Sequence, residues 1–63
     1  MQAFEMSIDG RLHEATWETG DHDRLTVTSA VGTTYAYRDG RDPQALAKSL
    51  LQQLVFRAQR QAG

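Results

Sequence analysis

The first third of the chain alternates apolar and polar side chains with the two-residue period of a β-strand. Three large apolar side chains share one face of residues 2–8: Phe4, Met6 and Ile8. Asp9-Gly10 follows, a pair typical of two-residue hairpin turns. That turn brings Ala15 and Trp17 to the face of the three apolar residues, so the turn and the pattern agree on the register.

Residues 24–30 are expected to form a third strand, because they are rich in β-forming residues. Gly32 then predicts a three-residue hairpin loop over residues 30–32, with the glycine in the left-handed conformation. This loop pairs the apolar residues of the third strand with the tyrosines of the fourth: Val27 with Tyr35, and Leu25 with Tyr37. We therefore expect both tyrosines on the inner face of the sheet, whereas a two-residue loop would place tyrosines opposite threonines.

Asp42-Pro43 predicts the start of a helix, because aspartate caps a helix N-terminus and proline fits the first helical position. The helix is expected to run from Pro43 to about Gln61. The order β-β-β-β-α predicts an α+β fold that covers residues 1–63 as a single domain. In it, a four-stranded antiparallel meander precedes one C-terminal helix packed on one face of the sheet.

The predicted helix has a wide apolar arc. At 100° per residue the arc covers about 180°, whereas a stripe of about 100° suffices for a helix on one core. Its members are Leu46, Ala47, Leu50, Leu51, Leu54, Val55 and Ala58. A helix of this length spans about 28 Å, more than the roughly 23 Å of a seven-residue strand. We therefore expect its end to project beyond the sheet, carrying Val55, Phe56 and Ala58.

An exposed apolar patch of this kind usually marks an interaction site. The sequence thus predicts a small protein-interaction module of adaptor, regulator or inhibitor type, which forms a homodimer through its helix. The predicted partner-binding residues are Leu51, Val55, Phe56, Arg57 and Arg60. The alternative is that loops or N-terminal residues of the same chain cover this end. A dimer would also help so small a chain, because a domain of about 60 residues buries only about 60% of its unfolded surface.

The opposite face of the sheet is expected to be polar and rich in threonine. Its predicted members are Glu5, Ser7, Leu12, Glu14, Thr16, Thr26, Thr28, Thr34, Ala36 and Arg38. Such a face is usually solvated. It is also the second candidate surface for a partner, and the edge strands could recruit a further strand.

The formal net charge of −1 hides an uneven distribution. Residues 1–42 hold all eight acidic residues, whereas residues 43–63 hold Lys48, Arg57 and Arg60 and no acid. Bases near a helix C-terminus complement the helix dipole. The alternative function is a small nucleic-acid-associated protein that uses this basic helix.

Residues suited to catalysis or to cofactors are scarce. The chain has no cysteine, no glycine-rich phosphate loop and no HExxH motif, so we expect no enzyme, no cofactor and no metal site. His13 should lie partly buried opposite Met6. His22 stands between Asp21 and Asp23, but adjacent side chains rarely converge on one ion.

No apolar run approaches the roughly 20 residues that span a bilayer. Residues 1–5 also lack the basic and apolar regions of a secretory signal peptide. We therefore expect a cytoplasmic protein without a membrane segment.

Overall fold

The computed structural model describes residues 1–62 and shows an α+β fold. Its elements are β1 (Gln2–Ile8), β2 (Arg11–Thr19), β3 (Arg24–Ser29), β4 (Gly32–Tyr37) and α1 (Pro43–Ala62), with a short 3-10 turn at Asp21–Asp23. The four strands form one open antiparallel sheet in the order β1-β2-β3-β4. The helix α1 packs chiefly against β3 and β4. The predicted meander followed by a helix on the sheet is confirmed.

The first hairpin has the predicted turn and register. Asp9 and Gly10 both take positive φ angles, 53° and 81°, as two-residue turns between twisted strands require. Ile8 pairs with Arg11 and Gln2 pairs with Trp17 at the two ends of the ladder. The side chains of β1 and β2 therefore alternate between the two faces as expected.

The second hairpin differs from the prediction by one residue. Ser29 pairs with Gly32, which leaves the two-residue loop Ala30–Val31. The side-chain oxygen of Ser29 accepts a hydrogen bond from Val31 N–H at 3.2 Å and donates to the carbonyl oxygen of Gly32 at 3.3 Å. These two bonds brace the shorter loop, so the three-residue loop is wrong.

This shift exchanges the two faces of β4, because neighbouring residues of a strand point to opposite sides. Small side chains now lie beneath the helix, at Gly32, Thr34 and Ala36. The tyrosines lie on the outer face, with Tyr35 opposite Thr26 and Tyr37 opposite Arg24. The expectation that Tyr35 and Tyr37 belong to the inner face is therefore wrong, as is the placement of Thr34 and Ala36 on the outer face.

The close approach of the helix explains why β4 needs small residues there. A Cβ atom built on Gly32 would lie 3.4 Å from Cδ2 of Leu54. A side chain larger than a methyl group at Gly32 would collide with the side chain of Leu54. The contact also gives the helix direction, because the C-terminal half of α1 lies over the start of β4 and the two elements run antiparallel.

The core lies between the helix and the inner face of the sheet. Its buried members are Ile8, Ala15, Leu25, Val27, Leu46, Ala47, Leu50, Leu51, Leu54 and Val55. Phe4, Met6 and Trp17 pack against this cluster from the β1 and β2 side. Because these three side chains reach the helix from the side, the sheet covers nearly all of the wide apolar arc.

The helix begins as predicted. Oδ2 of Asp42 accepts a hydrogen bond from Ala45 N–H at 2.9 Å, which satisfies one of the free donors of the first turn. In the part of the chain that the structure describes, no helix is both long and apolar enough to cross a membrane.

Candidate interaction surface

The outer face of the sheet carries an exposed aromatic cluster. Tyr35 is 56% exposed and Tyr37 is 53% exposed. Their ring centroids lie 6.2 Å apart at an angle of 84°, an edge-to-face contact. The guanidinium carbon of Arg24 lies 5.4 Å from the ring centroid of Tyr35, within reach of a cation–π interaction. We call Arg24, Tyr35 and Tyr37 the tyrosine patch.

Threonines surround the tyrosine patch on its β2 and β3 side. Thr26 pairs with Tyr35, and Thr28 lies between Thr16 and Thr33 in neighbouring strands. These side chains offer hydroxyl donors and acceptors beside the rings. The predicted threonine-rich outer face is thus present over β2 and β3, with two aromatic residues added to it by the register of β4.

The charge of the outer face changes from one side of the sheet to the other. Glu5 of β1 pairs directly with Glu14 of β2, and Glu18 pairs with Thr26. A shallow depression lies between β1 and β3, next to the two paired glutamates. The outer face is therefore acidic over β1 and β2 and aromatic and basic over β3 and β4.

The loop after β4 fixes the backbone at Tyr37, the last residue of the tyrosine patch, through hydrogen bonds. Arg41 donates hydrogen bonds to the carbonyl oxygens of Tyr37 at 2.7 Å and Arg38 at 2.9 Å. Arg38 in turn forms an ion pair with Asp23, with an N–O distance of 3.3 Å. Both arginines are thus engaged in positioning the chain, and Arg24 is the basic residue that the patch presents.

The strand β4 forms one edge of the sheet and lacks the usual protection of an edge strand. Edge strands commonly carry charges, prolines or bulges that prevent pairing with another chain. The sequence of β4, Gly-Thr-Thr-Tyr-Ala-Tyr, contains neither a charge nor a proline. The other edge strand, β1, carries Glu5. The edge of β4 is therefore the more open of the two to strand addition.

The hydrogen bonds between β3 and β4 determine which backbone N–H and C=O groups of β4 point to the open side. Arg38 N–H donates to the carbonyl oxygen of Asp23 at 2.9 Å, one step beyond the last strand pair. Backbone groups alternate in direction along a strand, so the odd-numbered residues of β4 direct theirs to the open side. Arg41 covers the carbonyl oxygen of Tyr37. The backbone groups that remain free to pair with another strand are the N–H and C=O of Thr33, the N–H and C=O of Tyr35, and the N–H of Tyr37.

The structure separates the predicted partner-binding residues of the helix into two groups. Leu51 is 0% exposed and Val55 is 2% exposed, so both lie in the core of their own chain. Phe56 is 51% exposed, and Arg57 and Arg60 are also exposed. The expected projection of Val55 beyond the sheet is wrong, because Val55 is buried in the cluster that the helix forms with the sheet. The contact of the exposed group with a partner stays a prediction.

The exposed group extends from the outer side of the helix, where Phe56 points away from the sheet, to the side near the open edge, where Arg57 lies. A groove on the opposite side contains Gln44 and Lys48 of the helix next to Gln2 and Trp17 of the sheet. At 100° per residue the exposed residues on the other side fall within about 100° of one another. They are Ser49, Gln53, Phe56, Arg57 and Arg60, and we call them the free flank.

The histidines do not form a metal site with their neighbours. His13 is half-buried opposite Met6, as predicted. His22 is exposed in the short turn and has a φ of 59°. Within residues 1–62, no three acidic or histidine side chains come close enough to hold an ion.

Comparisons with known proteins add no relative. No protein-family model matches this chain, and no curated protein and no solved structure matches it either.

Proposed function

We propose that this chain is a small protein-interaction module without catalytic activity, which works as a homodimer. One observation carries the proposal: the uncharged edge strand β4 and the free flank hold half of the six large hydrophobic side chains exposed among the described residues. They are Tyr35, Tyr37 and Phe56, whereas Val31 lies beside Leu12 at the hairpin loop. Concentration of exposed apolar surface is typical of protein interfaces.

We assign the binding of a different protein to the tyrosine patch. Tyrosine and arginine are over-represented among the residues that dominate binding energy at interfaces. The edge-to-face contact between Tyr35 and Tyr37 and the position of Arg24 favour one arrangement of the patch before a partner binds. An ordered surface loses less entropy on binding, which suits an adaptor, regulator or inhibitor.

A nucleic-acid-associated protein is the alternative function. The argument against it is that the basic side chains of the helix are not gathered on one surface. Lys48 lines the groove beside β1, whereas Arg57 and Arg60 lie on the free flank. The outer sheet face is acidic over β1 and β2, which repels phosphate. We therefore favour a protein partner, and a cytoplasmic location stays a prediction.

Light scattering coupled to size-exclusion chromatography over a concentration series tests the homodimer. The monomer has a mass of 7.1 kDa, and we expect twice that mass at high concentration. Phe56→Asp should raise the dimer dissociation constant severalfold, because it replaces an exposed aromatic ring at the border of the interface by a charge. Gln59→Asp is the matched control, since it adds the same charge to an exposed helix position outside the free flank.

Two results would contradict the proposal. The first is a wild-type protein that stays monomeric up to about 1 mM, the concentration at which only very weak association escapes detection. The second is fluorescence anisotropy showing binding to labelled DNA or RNA that disappears as salt rises, which would favour the nucleic-acid alternative.

A further inference from the structure

We propose that β4 pairs antiparallel with β4 of a second copy, so that the two sheets join into one continuous sheet of eight strands. Because this pairing rests on the homodimer proposed above, it names the interface of that dimer. The first observation is the edge itself. β4 is uncharged and free of proline, and its outward backbone groups at Thr33 and Tyr35 have no strand beside them.

The free backbone groups select the register. Pairing Thr33 with the partner's Tyr35 uses the two residues whose N–H and C=O groups no side chain covers. The two-fold axis then makes the same pair twice, giving about four hydrogen bonds. This register leaves the bond between Arg41 and the Tyr37 carbonyl intact. The axis passes beside Thr34, which comes to lie opposite the partner's Thr34.

The position of the helix fits this arrangement. The helix lies over β3 and β4, close to the edge. Neighbouring strands are about 4.8 Å apart, so continuing the sheet would place the two helices about 10 Å from each other. Packed helices have axes about 8–10 Å apart. Strand pairing would therefore bring the edge-facing residues of the two free flanks, Gln53 and Arg57, into contact without moving either helix.

The charges on the helix of one copy complement those on the helix of the second copy across the same two-fold axis. Leu54 lies over Gly32, and Thr34 is about 7 Å farther along the strand, a distance that corresponds to four or five helical residues. The axis therefore passes near Ser49. A two-fold operation there sets Arg57 opposite the partner's Asp42, the residue that caps the start of the helix. The acidic N-terminus of the helix in one copy thus lies opposite the basic C-terminus of the helix in the other.

The joined sheet also enlarges the surface offered to a third protein. The two tyrosine patches would lie on the same face, on either side of the axis. A binding surface shared by two copies is symmetric, which suits a symmetric or bivalent target.

A backbone substitution tests the pairing directly. Thr33→Pro removes an outward N–H that forms no hydrogen bond within the described chain, and prolines are tolerated on edge strands. We expect this variant to raise the dimer dissociation constant about tenfold or more. Thr33→Val is the control, because it keeps the N–H group and a β-branched side chain, and should leave dimerisation intact.

Cysteine cross-linking provides a second readout that does not depend on the proline variant folding. The chain has no cysteine, so Thr34→Cys introduces a single thiol at the axis. Opposed residues in a non-hydrogen-bonded pair lie about 4.5 Å apart, within the range that a disulfide requires. Mild oxidation should therefore give a covalent dimer. Thr28→Cys, which lies on β3 and away from the axis, should not cross-link.

The outcomes separate the two proposals. A dimer that Thr33→Pro does not weaken, and that Thr34→Cys does not cross-link, overturns pairing through β4 and leaves the homodimer in place. A wild-type monomer overturns both. If Thr33→Pro abolishes the far-ultraviolet circular dichroism of the fold, cross-linking of Thr34→Cys decides the matter in either direction.

Discussion

Replacing Leu51 by alanine should cost far more stability than replacing Phe56, although both were predicted to bind a partner. Leu51 is fully buried between the helix and the sheet, whereas Phe56 is 51% exposed. Leucine-to-alanine changes in a core cost about 2–5 kcal/mol. A chain of 63 residues is expected to have a total unfolding free energy of about 3–9 kcal/mol. We therefore expect Leu51→Ala to remove about 3 kcal/mol, a third or more of the total.

Phe56→Ala should lower the free energy of unfolding by less than about 1 kcal/mol, because its ring is half in water and leaves no cavity. Urea titration followed by the fluorescence of Trp17, the only tryptophan, measures both. Trp17 packs against the core cluster and reports on its loss. Titrations at two protein concentrations separate fold stability from dimerisation, since only the latter depends on concentration. A loss below about 1 kcal/mol for Leu51→Ala would refute the placement of Leu51 in the core.

Three further perturbations test single features of the fold. Gly32→Ala should destabilise by about 1–3 kcal/mol by thermal unfolding, because its φ of 141° is unfavourable for residues other than glycine; an unchanged melting temperature would contradict this backbone conformation. Asp42→Ala should cost about 0.5–2 kcal/mol in urea through loss of the N-cap, whereas Asp42→Asn should restore most of it. Tyr35→Thr should change the urea midpoint little because the ring is exposed, and a large loss would place Tyr35 in the core after all.

The first hairpin could be predicted from the sequence because two independent signals agree there. The Asp9-Gly10 pair specifies a two-residue turn, and that turn places the apolar residues of β1 and β2 on one face. A shift by one residue would move every apolar side chain of a strand into water. Local turn chemistry and burial thus favour the same register, and the structure has it.

The second hairpin was mispredicted because its two signals disagree. Matching large apolar residues across the strands favours the pairs Val27–Tyr35 and Leu25–Tyr37. The hydrogen bonds of Ser29 favour the shorter loop. The contact with Leu54 also favours the register that places Gly32 beneath the helix. The alternation of Gly32, Thr34 and Ala36 was the signal in the sequence, but its meaning depends on a helix position that only the tertiary structure supplies.

The width of the apolar arc on the helix was predicted correctly, but not what covers it. A wide arc indicates that more than one surface contacts the helix, and the sequence does not say whether that surface belongs to the same chain. Here Phe4, Met6 and Trp17 reach the arc from the side. The residues that remain exposed, Phe56, Arg57 and Arg60, are those of the predicted set that lie on the free flank.

The one-residue shift in β4 connects the features on which the proposed dimer depends. With small residues inward, the helix lies close over β4 and therefore near the sheet edge. The same register puts Tyr35 and Tyr37 on the outer face and directs the backbone groups of Thr33 and Tyr35 to the open side. The longer loop would move the tyrosines beneath the helix and hold it farther from the strand. The turn at Ser29 therefore influences the core, the edge and the tyrosine patch together.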